Sequence, residues 1–185
     1  PYQDAADLVE AAQAAPLSVS TPGHSTSHHM AGVALEQLTG ATFNYVHTDG
    51  ASESVPMVAG GHVDCGMTNW SEARSLVEAN RLRVIGIMSD ERDERCPDVP
   101  TFKEVGLDIT YGAWRGLAVP AGTPDDVVQI LSDAFAQALE TQSVIDAFAE
   151  QDIPIRYMNA EDFKAHLDAE FVSQQELAAI IASRG

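Results

Sequence analysis

Basic residues are scarce in this chain: 10 lysines and arginines face 28 aspartates and glutamates, for a formal charge of −18. A surface this acidic repels phosphate backbones and anionic headgroups, which argues against nucleic acid or a lipid surface as partner. It also repels an anionic ligand at long range, so an anion site here must work through local amides and dipoles. Cysteine is sparse as well. Cys65 and Cys96 permit one disulfide without demanding it; Cys65 sits in an apolar, strand-like run, and Cys96 lies beside Pro97 in a charged loop. No apolar window approaches a membrane span, so no direct membrane insertion is expected. No charged n-region and apolar h-region precede Pro1, so these residues carry no signal peptide. The chain has no G-x-S-x-G elbow, P-loop or G-x-G-x-x-G, and a Cys65 nucleophile lacks a convincing partner in His62; no catalytic residue is expected.

What is present is an alternation of strand and helix. Ala5–Ala15 reads as a helix closed by Pro16, Leu17–Ser20 as a strand, and Thr26–Leu38 as a helix ended by Gly40. Phe43–His47 is a second strand, Glu53–Ala59 a short helix, Val63–Thr68 a strand, Ser71–Glu78 a helix and Leu82–Met88 a strand. These strands are apolar on both faces and separated by helices, which predicts a parallel α/β sheet. A charged loop over Ser89–Pro100 leads to a short helix at Thr101–Val105 and a strand at Ile109–Tyr111. Pro124 opens a long helix behind Thr123, with Val127, Ile130, Leu131, Ala134, Phe135, Ala138 and Leu139 as its buried stripe. Ser143 caps a further helix, Ile153–Met158 reads as a strand, and Asn159 caps a last helix to about Ala182. An apolar crossover at Ala113–Leu117 marks the expected boundary, between residues 1–112 and residues 113–185.

The most informative stretch is SVSTPGHSTSHHMAGVALEQL, Ser18 to Leu38. A strand runs through Pro22 and Gly23 into Ser25, Thr26 and Ser27, any of which can cap the following helix. A helix start carries unpaired N–H groups and a partial positive charge, so small hydroxyl residues there seat a carboxylate or phosphate, or simply cap the helix. His24, His28 and His29 with Asp64 or Cys65 have metal-ligand chemistry. However, Pro22-Gly23 makes a shared helical face for His24 and His28 marginal, and His29 reads as hydrogen-bonded locally or packed under the turn; no metal is expected.

Four segments in order, DAADLVEAAQAAPLSVSTPGHSTSHHMAG, TDGASESVPMVAGGHVDCGMTN, ANRLRVIGIMSDERDERCPDVPTFKEVG and WRGLAVPAGTP, resemble the substrate-binding receptors of tripartite tricarboxylate transporters, the Bug receptors. The resemblance implies a periplasmic-binding-protein-like (type II) α/β fold of two domains closing over a ligand. It implies that residues to about 112 form the second domain complete and that the rest is the C-terminal return of the first, whose N-terminal part is absent. It also implies an extracytoplasmic receptor, with a signal peptide in its precursor, that hands a small organic carboxylate to membrane transporter subunits and uses no cofactor. Carried over by position, the ligand loops are Ser20, Thr21, Gly23, Thr26 and Ser27; Gly50 and Ala51; and Thr68 and Asn69. Ser25 stands where the family often has a second glycine. Thr48-Asp49 replaces a common Tyr-Lys pair, which favours an amino-acid ligand if Asp49 faces the pocket and nothing if it only starts a turn. Asn69 caps a helix or touches ligand. Arg115, at the presumed hinge, pairs a distal carboxylate or a surface acid. An effector-sensing domain of a transcription regulator has a related fold and is the alternative.

Overall fold

The computed structural model describes residues 2–184, which divide into two compact units: residues up to 113 together with 177 onward, and residues 114–176.

The first unit carries a parallel sheet. Its strands are β1 (Leu17–Thr21), β2 (Phe43–His47) and β3 (Cys65–Gly66), in the order β2-β1-β3. Leu17 faces Phe43 and Thr21 faces His47 in one register; Val19 faces Cys65 in the other. Helix α1 (Ala5–Ala14) starts where the Asp4 carboxylate accepts the Asp7 N–H at 3.0 Å and stops short of Pro16. Its Ala5, Val9 and Ala12 recur on one face, and with Val19, Leu35, Phe43, Phe102 and Ile109 they make the main core.

Helix α2 (Ser27–Thr39) follows β1, and Gly40 closes it in the left-handed conformation, φ 74°. The buried Glu36 carboxylate accepts the Phe43 N–H at 2.8 Å, tying the end of α2 to the start of β2. Gly32 lets the helix lie close on the sheet: a Cβ there would stand 2.6 Å from the Tyr45 hydroxyl. Helix α3 (Ala51–Ala59) follows β2 and α4 (Trp70–Glu78) follows β3. At the other end, Asp64 accepts both the hydroxyl (2.6 Å) and the N–H (2.8 Å) of Ser18, and these bonds hold its carboxyl below the usual carboxylate range.

The strand expected over Leu82–Met88 is not formed. The only pairing described there is an isolated bridge between Ile87 and Thr101, with Gly86 lying under Phe102. Ile109–Tyr111 likewise has no ladder among the described residues, although Tyr111 N–H donates to Met88 O at 2.9 Å. An apolar run becomes a strand only where a neighbouring edge offers a row of partners, and β3 offers two residues.

The second unit contains α5 (Asp125–Leu139), α6 (Gln142–Glu150) and most of α7 (Ala160–Arg184). Trp114 meets Phe163 edge-on, centroids 5.3 Å apart, and Tyr157 lies with its hydroxyl 3.2 Å from that of Ser132. Pro124 is the capping residue of α5 rather than its first turn, and Thr141, not Ser143, caps α6. No strand forms at Ile153–Met158. The α5 stripe expected to be buried is open instead: Ile130 is 66% exposed and Phe135 45%. An amphipathic helix buries its stripe only against a second apolar surface, and nothing among the described residues covers this one. The last turns of α7 belong to the first unit, where Leu177 and Ile181 pack with Val33.

Candidate functional site

Parallel strands deliver their following loops to one edge of the sheet, and helices that begin there point their N-termini at the same space. The loops after β1, β2 and β3 do this, so nine of the ten residues singled out from sequence lie on one edge of the first unit. The tenth, Arg115, is exposed in the second unit.

The first loop is tightly folded. Gly23 has φ 114°, and a Cβ there would meet the Thr26 methyl at 2.8 Å, so glycine is required. Its carbonyl accepts the hydroxyls of Thr21 (3.2 Å) and Thr26 (3.0 Å). Ser25 is left-handed at φ 57°, the conformation that a glycine at this place adopts without strain. Thr26 caps α2, its hydroxyl 3.5 Å from the His29 N–H. Ahead of that, the N–H groups of Ser27 and His28 have no acceptor among the described residues, and the first turn of α2 holds no acid. Two free amides at the positive end of a 13-residue helix can receive an oxyanion.

Ser20 is different. It is fully buried, its hydroxyl donating to Ser54 O at 3.0 Å and lying 3.1 Å from the Ser54 hydroxyl. It fastens β1 to α3. Thr21 is also fully buried, with its hydroxyl 2.7 Å from His47 Nδ1.

In the second loop Gly50 caps α3 in extended conformation, its carbonyl accepting the Thr48 hydroxyl (2.9 Å) and the N–H groups of Glu53 and Ser54 (3.1 Å each). Ala51 opens the helix with no side chain to obstruct it. Asp49 is exposed, and its N–H lies 3.4 Å from the Glu53 carboxylate, so this helix start already has an acid beside it.

In the third loop Asn69 is the capping residue of α4. Glu72 reaches back to accept the Thr68 hydroxyl (2.6 Å) and the Asn69 N–H (2.8 Å). The Thr68 hydroxyl and the Asn69 N–H are therefore occupied by a carboxylate of the protein itself. His28 Nε2 stands 3.5 Å from Glu72, long for a hydrogen bond. His28, Thr68 and Asn69 together hold the Glu72 carboxyl down to about 2, against its partial burial. Sequence reading missed Glu72, although Asn-x-x-Glu at 69–72 is a capping-box spacing that announces it.

Histidine behaves in a way that the sequence did not announce. The structure separates His28 from the other two and brings His47, at the end of β2, against His24 and His29. Burial, and then the neighbouring His24, push His47 below the usual imidazole value, against a bond to the Gly23 backbone. Cys65 and Cys96 are both free. Burial and then Asp64 push the Cys65 thiol up to about 12, so it is protonated and inert as a nucleophile at neutral pH. Among the described residues no helix is long and apolar enough to cross a membrane.

Known proteins agree with this architecture. A Cupriavidus necator protein described as "UPF0065 protein in gbd 5'region" is 32% identical over 169 residues, 91% of this chain and 50% of its own length. The chain thus spans about half of that relative. A solved structure of a TctC solute binding protein from Polaromonas, without ligand, superposes with TM-score 0.85 at 30% identity, covering 97% of this chain and 62% of that one. A second, an R. palustris protein solved with adipate, shares the fold at TM-score 0.80 and 21% identity, covering 98% and 62%. The family described as "Tripartite tricarboxylate transporter family receptor" matches residues 1–185, and this chain, with its parallel α/β sheet and loops at one edge, belongs to it.

Proposed function

We propose that this chain is part of an extracytoplasmic receptor that captures a small organic carboxylate for a tripartite tricarboxylate-type transporter. The observation that carries the reading is the start of α2: the Ser27 and His28 amides without acceptors, no acid in the first turn, and Gly23 and Thr26 keeping bulk away. The ligand carboxylate sits there, with Gly50 and Ala51 at the start of α3 as its other wall. In a chain of charge −18 these amides and the helix dipole replace the lysine or arginine that an anion site commonly uses. The adipate bound to one fold neighbour supports a dicarboxylate. Residues 1–112 serve as one ligand-closing domain and 113–185 as the return segment of the other. The same amides perform recognition without covalent chemistry, so the protein binds and releases its ligand unchanged.

The test is calorimetry of the full-length protein with a panel of di- and tricarboxylates and amino acids, repeated on Thr26→Asp. The new carboxylate occupies the α2 amides while suiting the helix N-terminus, so folding is retained and carboxylate binding is lost. Unchanged affinity in Thr26→Asp refutes the placement, and binding of amino acids alone refutes the ligand class.

A further inference from the structure

Three histidines from three different elements converge beside the first loop. His24 lies between β1 and α2, His29 in the first turn of α2, and His47 at the end of β2. One ring nitrogen of each lies within 4.8 Å of the others, and the ring centroids are 5.0 Å (His24–His29), 4.9 Å (His24–His47) and 4.4 Å (His29–His47) apart. His29 is buried at 4% exposure, while His24 and His47 open to solvent.

The surroundings orient these rings. The Thr21 hydroxyl, which also reaches Gly23 O at 3.2 Å, lies 2.7 Å from His47 Nδ1 and holds that ring through one nitrogen. His24 is likewise held through one nitrogen, its Nδ1 2.9 Å from the Ser25 hydroxyl. A hydroxyl or carbonyl on one nitrogen and a lone pair on the other is how metal-binding imidazoles are held. His29 differs, because its Nδ1 accepts the Ser25 N–H at 3.1 Å. Ligation through that nitrogen displaces the Ser25 N–H, a cost that the metal–nitrogen bond must exceed.

We propose that His24, His29 and His47 form a binding site for a divalent transition metal of the zinc or nickel class. Nitrogens about 2.0–2.1 Å from a tetrahedral ion stand roughly 3.4 Å apart. The present spacing must therefore tighten by up to about 1.4 Å, which rotation of the two exposed rings supplies while the buried ring stays fixed. Three neutral imidazoles suit Zn²⁺, Ni²⁺ or Cu²⁺ and do not suit Mg²⁺ or Ca²⁺, which require oxygen. They leave the ion its full charge and at least one open position. His24, with Ser25, Met30, Ala178 and Ile181, also lines a pocket of about 340 Å³. The site stands independently of the carboxylate reading, since its donors are side chains rather than α2 amides.

The test is titration of the metal-free, full-length chain with ZnCl₂ and separately NiCl₂, with no carboxylate present, followed by calorimetry and metal analysis after dialysis. One ion per chain is expected, with millimolar Mg²⁺ unable to compete. His24→Ala and His47→Ala, both exposed positions, should each weaken binding at least about tenfold. His62→Ala, at the opposite end of the sheet before β3, should leave it unchanged. Metal should raise the melting temperature of the parent chain and not that of the His24→Ala/His47→Ala double variant. Melting curves in chelator confirm that these variants fold, and the buried His29 need not be replaced. The proposal is overturned by an absence of saturable binding, by equal binding in the double variant, or by displacement with Mg²⁺, which would mark the ion as held by surface acids.

Discussion

Replacing Glu72 by glutamine isolates the part of its contribution that comes from charge. Gln retains the size and one carbonyl acceptor, so the variant resembles the parent with its carboxyl protonated. The Glu72 carboxyl lies at about 2 in the folded chain against an ordinary 4.5. At roughly 1.36 kcal/mol per unit, that difference sets a ceiling of about 3.4 kcal/mol. The side chain is 28% exposed and His28 is at long range, so solvent screening reduces the value to about 1–2 kcal/mol. The sign follows from which state holds the proton. Between about 2 and 4.5 the unfolded chain is protonated here and the folded chain is not. The stabilisation is therefore complete above about pH 4.5 and disappears as pH falls toward 2. The assay is urea unfolding followed by Trp70 fluorescence in a Trp114→Phe background, so that the signal reports the first unit. Glu72→Gln should lose about 1–2 kcal/mol at pH 7, with the deficit shrinking steadily below pH 4.5. A deficit under about 0.3 kcal/mol at pH 7, or one equally large at pH 2.5, refutes the argument.

Three further outcomes are expected. Gly32→Ala drives a methyl to 2.6 Å from the Tyr45 hydroxyl and should destabilise the first unit by about 1–2 kcal/mol despite the better helix propensity of alanine, measured by the same unfolding assay. The open α5 stripe, Val127, Ile130, Leu131 and Phe135, should make the 185-residue chain self-associate; Ile130→Glu should reverse this in sedimentation, and a monomeric parent chain would contradict it. Asp49→Asn removes a carboxylate next to Gly50 and should strengthen dicarboxylate binding several-fold in calorimetry. Affinities within twofold would show that Asp49 only starts a turn.

Local chemistry explains which elements could be read from sequence. Phe43–His47 has the bounds expected of it, and α2 lies within a residue of expectation at each end, because Thr26 and Gly40 are caps whose effect needs no distant partner. Leu82–Met88 and Ile153–Met158 have equally strand-like composition. A strand is defined by its ladder, however, and composition cannot show whether a neighbouring edge is there to pair with. The same limit applies to the site. The three loops follow from strand order alone, whereas the engagement of Thr68 and Asn69 with Glu72 depends on side-chain reach. His47 lies 18 residues from His29 along the chain and meets it only because Thr21 and His47 are register partners in the parallel pair. Pairing the C-terminal ends of β1 and β2 on paper brings them together; reading His24, His28 and His29 as a local group does not.

Ser25 touches two of the rings by two unlike means, its N–H on His29 and its hydroxyl on His24. Only the second is written in the side chain. A glycine at this position keeps the backbone bond and relieves the left-handed conformation, yet releases His24. One codon thus trades backbone ease against control of a single imidazole while His29 stays oriented. A lineage that needs the histidine cluster can retain the serine at the cost of its strain. A lineage that does not can drift to glycine without disturbing the turn that presents the α2 amides.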